Sequence, residues 1–378
     1  MRRRSMLRSL MGGLGLCAAL LLVEGAARVA EPVLPQWRGP DNTAVLMTGH
    51  PTRLWGMAPG TRFNAGPNAS INELGLRGPM VELPRPAGRT RLMVLGDSSF
   101  FGHGVADGQD LGSVAVGLLP DADLVIGAVP GYSVAQSKVF LDEEGWDLQP
   151  SVLVIGHLWS DNTWDAFHDE DLLASAAFNQ RNPLAHSRAL RMAATLFGGG
   201  AADGGRIITV SKLEPWPEGR VRRVPLKRYA ALLDELLLEA ADREVGALFI
   251  LPANRISLTG AFAHWDPYYQ VMREIAAHHG LPLLDANALY ADIEPDTLFL
   301  DSMHPTVTGH QILGQALAQE LAGGLSVPTH TPFDRSHIED ILPPDHFSDR
   351  GVGSPQRSLF DATPTEPDAA PDGPPQAP

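Results

Sequence analysis

The sequence contains very little cysteine, since Cys17 is the only one among 378 residues. A single thiol excludes an intramolecular disulfide and any zinc site built from several cysteines. Long apolar runs are also missing: the N-terminal run over residues 10–23 has about 14 residues, whereas a membrane-spanning helix needs about 20. Basic residues are outnumbered, with 29 Lys and Arg against 44 Asp and Glu, which gives a formal net charge of −15. That charge argues against binding of nucleic acid or of an anionic membrane surface.

The N-terminus has the pattern of a targeting segment. Arg2, Arg3, Arg4 and Arg8 precede the apolar run over residues 10–23, as in a signal peptide. We therefore predict a signal peptide or an N-terminal membrane anchor over residues 1–30, with an ordinary buried helix as the alternative. Either kind of targeting segment places the body of the protein outside the cytoplasm, in the periplasm or secreted, and an uncleaved segment would tie it to the inner membrane.

The body of the chain alternates short apolar runs with helical patterns. Residues 31–88 are rich in Pro, Gly and Asn and are interpreted as an irregular N-terminal extension. The alternation that follows predicts a three-layer α/β/α domain over residues 89–324, with a mainly parallel five-stranded sheet. The predicted strands cover residues 91–95, 124–126, 152–156, 247–251 and 281–284, and the clearest helices cover residues 225–245, 268–279 and 306–322. In such a sheet the functional site lies at the carboxyl ends of the strands.

Two segments depart from this alternation. Residues 162–222 contain glycine clusters and scattered aromatics, and we interpret them as an insertion near the active site. The glycines are not followed by Gly-Lys-Ser/Thr, so they do not form a phosphate-binding loop. Residues 325–378 are a Pro-rich tail that we expect to be largely disordered, although residues 333–347 can still pack on the body.

Three short segments carry the chemistry. Ser98 follows the first predicted strand in Gly96-Asp97-Ser98, where a hydroxyl can stand at the edge of the sheet. Asp301 precedes His304 by three residues, a spacing at which the carboxylate can hold the imidazole in one tautomer and stabilise the imidazolium. Gly131 follows the second strand and can offer an unhindered backbone N–H. Each segment alone also fits a plain turn; their combination indicates nucleophilic catalysis.

Together these segments resemble the SGNH, or GDSL-type, hydrolase family. The first block matches Gly96-Asp97-Ser98 with Gly102, the last matches Asp301 and His304 with Pro305 and Gly309-His310, and the glycine of the second block falls on Gly131. The resemblance covers roughly residues 50–323, and residues 50–55 and 72–78 look like the extension of membrane-anchored bacterial members. It implies a flavodoxin-like fold and a triad of Ser98, His304 and Asp301. It also implies an oxyanion hole that uses the backbone N–H groups of Ser98 and Gly131.

One block departs from the family pattern. The family has Asn-Asp after the third strand, with the Asn side chain donating to the oxyanion, and this chain has Ser160-Asp161 followed by Asn162. Ser160 or Asn162 is therefore the candidate for the third donor. Loss of one such donor costs about 100- to 1,000-fold in rate, so the departure bears on catalytic proficiency more than on the fold.

The sequence thus predicts a serine esterase that hydrolyses a carboxylic ester of an O-acyl glycan or a lipid, without metal or organic cofactor. Two alternatives stay open: an O-acyltransferase acting on a cell-surface polysaccharide, and a non-catalytic carbohydrate-binding protein. The Gly-x-Ser-x-Gly elbow of α/β-hydrolases is absent around Ser98 and Ser133. A metal site of Asp301, His304 and His310 is disfavoured, and His103 is interpreted as a support for the nucleophile loop.

Overall fold

The computed structural model describes residues 19–29, 47–63, 69–182, 187, 189, 220–260 and 265–341. The described strands are β1 (Met47–His50), β2 (Leu54–Met57), β3 (Arg62–Phe63), β4 (Ala69–Ser70), β5 (Thr90–Gly96), β6 (Ala122–Ile126), β7 (Val152–Gly156), β8 (Trp164–Asp165), β9 (Val221–Arg222), β10 (Gly246–Leu251) and β11 (Leu283–Asp285). The described helices are α1 (Ser98–Phe101), α2 (Leu111–Leu118), α3 (Val134–Phe140), α4 (Asp169–Arg181), α5 (Leu226–Asp242), α6 (Asp266–His279), α7 (Ala286–Tyr290), α8 (Pro295–Leu298), α9 (Val307–Ala322) and α10 (Ile338–Ile341).

Five of the strands form one parallel sheet in the order β11-β10-β7-β5-β6. The chain builds β6 on one side of β5 and then crosses to build β7, β10 and β11 on the other side. The order therefore reverses between β5 and β7, and in sheets of this kind a ligand site lies at that reversal, beyond the carboxyl ends of the strands. The predicted five-stranded parallel sheet is confirmed. The last strand begins at Leu283, two residues later than predicted.

Alternating side chains of the strands supply two cores, one on each face of the sheet. Leu95, Ile155 and Phe249 point to the face covered by α3, α5 and α6, whereas Val94 and Val154 point to the face that carries α2 and α9. All five side chains are fully buried. This alternation of buried faces explains why the strands are continuous apolar runs with no polar face. The predicted three-layer α/β/α architecture is confirmed.

The N-terminal extension is more regular than its composition indicates. Within its described parts β1 pairs with β2 and β3 pairs with β4, both antiparallel. Arg77 is buried and donates to the carbonyl oxygens of Phe101, Gly102, Val105 and Ala106 at 2.5–2.9 Å. A single guanidinium therefore satisfies four carbonyl groups, one at the end of α1 and three in the loop that follows it. The extension is fastened directly to the loop behind Ser98.

The insertion and the tail each have a packed part. Within residues 162–222, β8 pairs with β9 and α4 precedes the part of the insertion that lies outside the described residues, including the glycine clusters. Residues 325–341 pack on the body, because Phe333 and Ile338 are buried and Asp234 binds both His279 and the Phe333 N–H. Most of the predicted targeting segment and the tail after residue 341 lie outside the described residues; residues 19–29 are helical. In the part of the chain that is described, no helix combines the length and the apolar character needed to cross a membrane.

Candidate active site

The carboxyl end of β5 places Ser98 at the start of a one-turn helix. Asp97 is the N-cap of α1, and its carboxylate accepts the Ser99 N–H at 3.0 Å, which satisfies a donor that the short helix leaves free. The ring of Phe100 lies over two glycines, Gly96 of β5 and Gly156 of β7, which are partners in the sheet register. A Cβ at either glycine would overlap that ring. These glycines therefore let α1 sit directly on the sheet, with Ser98 at its exposed end.

The structure brings the predicted triad together across 206 positions of the sequence. His304 Nε2 lies 2.8 Å from Ser98 Oγ, and His304 Nδ1 lies 2.6 Å from Asp301 Oδ2. Both distances are those of good hydrogen bonds. The His304 side chain is 16% exposed and that of Asp301 is 50% exposed. The imidazole is thus enclosed between the hydroxyl and a carboxylate that lies at the protein surface.

The surroundings of Asp301 fix the tautomer of His304. Burial opposes the charge of Asp301, but hydrogen bonds from the His304 side chain and from the backbone N–H groups of His304 and Met303 outweigh it, so the pKa of the Asp301 carboxyl lies well below its usual value. An ionised carboxylate can only accept, so Nδ1 of His304 carries the proton. In the neutral imidazole Nε2 is then the acceptor, and it faces the Ser98 hydroxyl at 2.8 Å. This is the arrangement that a general base needs.

Arg255 positions the loop that carries the acid and the base. Its Nε donates to the Asp301 carbonyl at 2.6 Å and its Nη2 donates to the Phe299 carbonyl at 2.9 Å. Its own backbone N–H donates to the Ser302 carbonyl at 3.1 Å. The loop from β10 thereby holds the Asp301–His304 segment against the sheet. Sequence reasoning missed this role, because nothing local marks an arginine 46 residues upstream as a partner of the loop.

Gly131 lies in the loop after β6, beside the end of β5. The neighbouring Val129 N–H donates to the Gly96 carbonyl at 3.2 Å, and Gly131 itself has a positive φ of 80°. Arg223 is buried, forms a two-point ion pair with Asp169 at 2.7 and 2.9 Å, and donates to the Gly131 carbonyl at 2.8 Å. Burial opposes the charge of Arg223, but Asp169 outweighs that effect and raises the arginine pKa. The Arg223 side chain, paired with Asp169, thus holds the loop that contains Gly131 through the Gly131 carbonyl.

The two candidates for the third donor are differently placed. The backbone N–H of Ser160 donates to Asp97 Oδ2 at 3.2 Å, and its hydroxyl lies 3.4 Å from the same oxygen. The Asn162 amide nitrogen donates to the Leu158 carbonyl at 2.6 Å, inside its own turn, and the residue is buried. One N–H of the Asn162 amide therefore stabilises the turn, and the role of Asn162 as an oxyanion donor stays a prediction. The Ser160 hydroxyl is directed to Asp97 in this conformation, and its role as the third donor stays a prediction.

His103 contributes a second imidazole beside His304. The two ring centroids are 4.5 Å apart and the ring planes are tilted by 39°. The sequence interpretation gave His103 a supporting role in the nucleophile loop; the structure adds a direct contact with the candidate base. Burial lowers the pKa of His103, and the charges of His304 and Arg77 lower it further against the opposing charge of Asp301.

Buried ionisable groups surround the site without joining it. His157 and Asp161 are both fully buried, with His157 Nδ1 at 3.7 Å from Asp161 Oδ2. Burial lowers the pKa of His157 to about 3 and raises that of Asp161 to about 8. Burial likewise lowers the pKa of His310 to about 3. Among the described residues no group of three or more His, Cys, Asp or Glu side chains is arranged to hold a metal ion.

Comparison of the sequence with models of protein families finds no match, and comparison with curated proteins finds none.

Comparison of the fold with solved structures finds many similar chains. The acetylxylan esterase Axe2 of Geobacillus stearothermophilus is 18% identical, with a TM-score of 0.41, over 65% of this chain and 100% of that one. A lipase/acylhydrolase of Enterococcus faecalis is 16% identical, with a TM-score of 0.40, over 64% of this chain and 99% of that one. A G-D-S-L-family protein of Desulfitobacterium hafniense DCB-2 is 12% identical, with a TM-score of 0.39, over 62% of this chain and 100% of that one.

Proposed function

We propose that this protein is a serine esterase that hydrolyses a carboxylic ester through an acyl-enzyme intermediate, with Ser98 as nucleophile and His304 as base. The observation that carries the proposal is the unbroken hydrogen-bonded chain from Ser98 Oγ to His304 Nε2 and from His304 Nδ1 to Asp301. A hydroxyl, a neutral imidazole and an ionised carboxylate in this order form a working nucleophile, base and orienting group.

The reaction proceeds in two halves. His304 Nε2 takes the proton of Ser98 while Oγ attacks the ester carbonyl, and Asp301 stabilises the imidazolium that results. His304 then gives the proton to the leaving alcohol, which leaves the acyl group on Ser98. In the second half His304 takes a proton from water while the water oxygen attacks the acyl carbonyl. The bond between the acyl carbon and Ser98 Oγ then breaks, the acid leaves, and His304 returns the proton to Ser98 Oγ. The backbone N–H groups of Ser98 and Gly131 are the proposed donors to the oxyanion.

The proposed substrate is an O-acyl glycan or a lipid ester outside the cytoplasm. The site opens to solvent, because Asp301 is half exposed and the neighbouring Leu300 is 51% exposed. An extracytoplasmic location rests on Arg2, Arg3, Arg4, Arg8 and the apolar run after them. Fusion of residues 1–30 to alkaline phosphatase, which is active only outside the cytoplasm, should give an active fusion; an inactive fusion contradicts the location.

The direct test of the nucleophile is esterase activity on p-nitrophenyl acetate. Ser98→Ala should lower kcat/KM by about 1,000-fold or more, because the attacking oxygen is lost. Ser99→Ala is the matched control: Ser99 lies in the same helix, and its hydroxyl is buried with no hydrogen-bond partner among the described residues. It should keep the activity of the wild type. Equal loss in both variants, or none in either, contradicts the assignment of Ser98.

Acyl transfer to a sugar uses the same triad and differs only in the acceptor of the second half-reaction. Time-resolved product analysis with an acetylated donor and a polysaccharide acceptor separates the two. Free acid as the first product agrees with the esterase. Acyl polysaccharide formed before any free acid would identify a transferase.

A further inference from the structure

The contact between His103 and His304 bears on the proposed esterase reaction. This inference rests on that proposed function. We propose that His103 is a positioning residue for the base: its neutral ring packs on the His304 imidazole, keeps that imidazole between Ser98 and Asp301, and stabilises the imidazolium formed during the reaction. His103 exchanges no proton with the substrate. In both half-reactions protons pass only between Ser98 Oγ, His304 Nε2, the leaving alcohol and water.

The first support is the rigidity of the segment that carries His103. The residue lies between Gly102 and Gly104, whose φ angles are 83° and 81°, a left-handed conformation that side chains disfavour. Arg77 holds the carbonyl groups on both sides of this segment, at Gly102 and at Val105. The His103 N–H donates to the Ser98 carbonyl at 3.0 Å. The backbone that carries the His103 ring is therefore fixed with respect to the nucleophile itself.

The second support is the geometry of the two rings. A cation attracts an aromatic face within about 6 Å of the ring centroid, and the centroid separation here is 4.5 Å with a 39° tilt. When His304 takes the proton of Ser98, its positive charge forms beside the π face of His103. The half-buried contact excludes part of the solvent that would otherwise weaken this attraction.

The charges around His103 keep it neutral while His304 carries the proton. Among the described residues, the charged or titratable groups that act on it include His304, Asp301 and Arg77. Burial lowers the pKa of His103, the positive charges of His304 and Arg77 act in the same direction, and Asp301 acts against them. A charged His103 would repel the imidazolium. A neutral His103 does not repel the imidazolium of His304; it attracts the imidazolium or keeps it in position.

The test compares His103→Phe with His103→Leu, both of which remove the ring nitrogens. Phe keeps a flat aromatic face and Leu keeps only apolar volume, so their difference isolates the ring contact from any hydrogen bond that His103 makes. The readout is the titration midpoint of His304, followed by NMR of the imidazole in the resting protein without substrate. We expect the midpoint in His103→Leu to fall by about one pH unit below that in His103→Phe, which is about a tenfold change in the imidazolium equilibrium.

A second readout follows the consequence for turnover of p-nitrophenyl acetate. The kcat of His103→Leu should be about tenfold below that of His103→Phe, and the acid limb of its pH profile should move to lower pH by the same amount as the NMR midpoint. Thermal unfolding of both variants shows whether each is folded. If the Leu variant is unfolded, the Phe variant is compared with the wild type instead. In that comparison the titration midpoint of His304 in the Phe variant must lie within about 0.3 pH unit of the wild-type midpoint.

The outcomes separate the two proposals. Equal His304 midpoints in the Phe and Leu variants, or a midpoint that rises when the ring is removed, overturn the role of His103 even if the protein is an esterase. A lowered midpoint in the Leu variant together with no Ser98-dependent esterase activity keeps the ring contact and overturns the proposed function.

Discussion

At the scale of single residues, the site depends on the protonation state of one carboxyl group. Hydrogen bonds from His304 and Met303 keep Asp301 ionised, and the ionised form sets the tautomer of the candidate base, His304. The sequence predicted this pair from its spacing of three residues. It could not predict the rotation of the Ser160 side chain, because the partner of Ser160 is Asp97, 63 positions away. Hydrogen-bond partners of this kind are determined by tertiary packing and leave no local signal.

The contact between the Ser160 hydroxyl and Asp97 leads to a prediction at Ser160. Ser160→Asn restores the amide that the family pattern has at this position, and kcat on p-nitrophenyl acetate should rise by about tenfold or more with little change in KM. The reason is that an amide can reach an oxyanion that the Ser160 hydroxyl, directed to Asp97, serves poorly. A kcat that stays the same or falls in a folded variant would mean that the oxyanion is stabilised without a side-chain donor here.

At the scale of elements, the sequence predicted the strands and the main helices well because their patterns are local. The helix predicted over residues 225–245 is α5, and the one predicted over residues 306–322 is α9. The hairpins of the extension were missed, since each strand has only two to four residues. The regular structure of the extension depends on contacts with distant parts of the chain. Arg77 of the extension, for example, binds the Phe101 carbonyl at the end of α1. Short elements held by tertiary contacts have no periodicity to read.

The close packing of α1 on the sheet leads to a prediction for α1. Gly156→Ala places a methyl group inside the ring of Phe100 and must displace that ring, α1 or the strand. The free energy of unfolding should fall by about 1–3 kcal/mol, and esterase activity should fall with it because Ser98 moves. Chemical denaturation and p-nitrophenyl acetate turnover measure the two effects.

Gly117→Ala is the control for this change. Gly117 is exposed in α2, and a Cβ there has open space around it. Alanine should be neutral or stabilise by up to about 1 kcal/mol, because it favours the helix. If the two variants have the same stability and activity, the close packing of Phe100 on the sheet does not position the nucleophile.

At the scale of the whole molecule, buried ionisable groups make the stability depend on pH. Asp161 is fully buried, and burial raises its pKa to about 8. A raised carboxyl pKa favours the folded state at low pH, and that contribution is lost as the pH rises from the ordinary value of about 4 through 8. His157 and His310 act in the opposite direction: their lowered pKa values of about 3 favour folding above pH 6.5 and the contribution is lost as the pH falls.

Asp161→Asn removes the first of these contributions. The amide keeps an oxygen for the Val134 N–H, which Asp161 accepts at 2.7 Å, and cannot ionise. The unfolding free energy of the variant, relative to the wild type, should therefore increase with pH between about 4 and 8, with a slope approaching about 1.4 kcal/mol per pH unit. Urea titrations of both proteins at several pH values measure this difference. A pH-independent difference would show that Asp161 is ionised in the folded protein.

The whole account depends on Ser98 being a nucleophile activated by His304, and covalent labelling tests this without any assumption about the natural substrate. A fluorophosphonate should add one phosphonyl group per chain at Ser98 in the wild type and in Ser99→Ala, as read by intact mass and by peptide mapping. It should add none in Ser98→Ala, and labelling should be at least about 100-fold slower in His304→Ala, because the base is missing. Labelling at another residue, or equal labelling in the folded Ser98→Ala variant, would contradict the account.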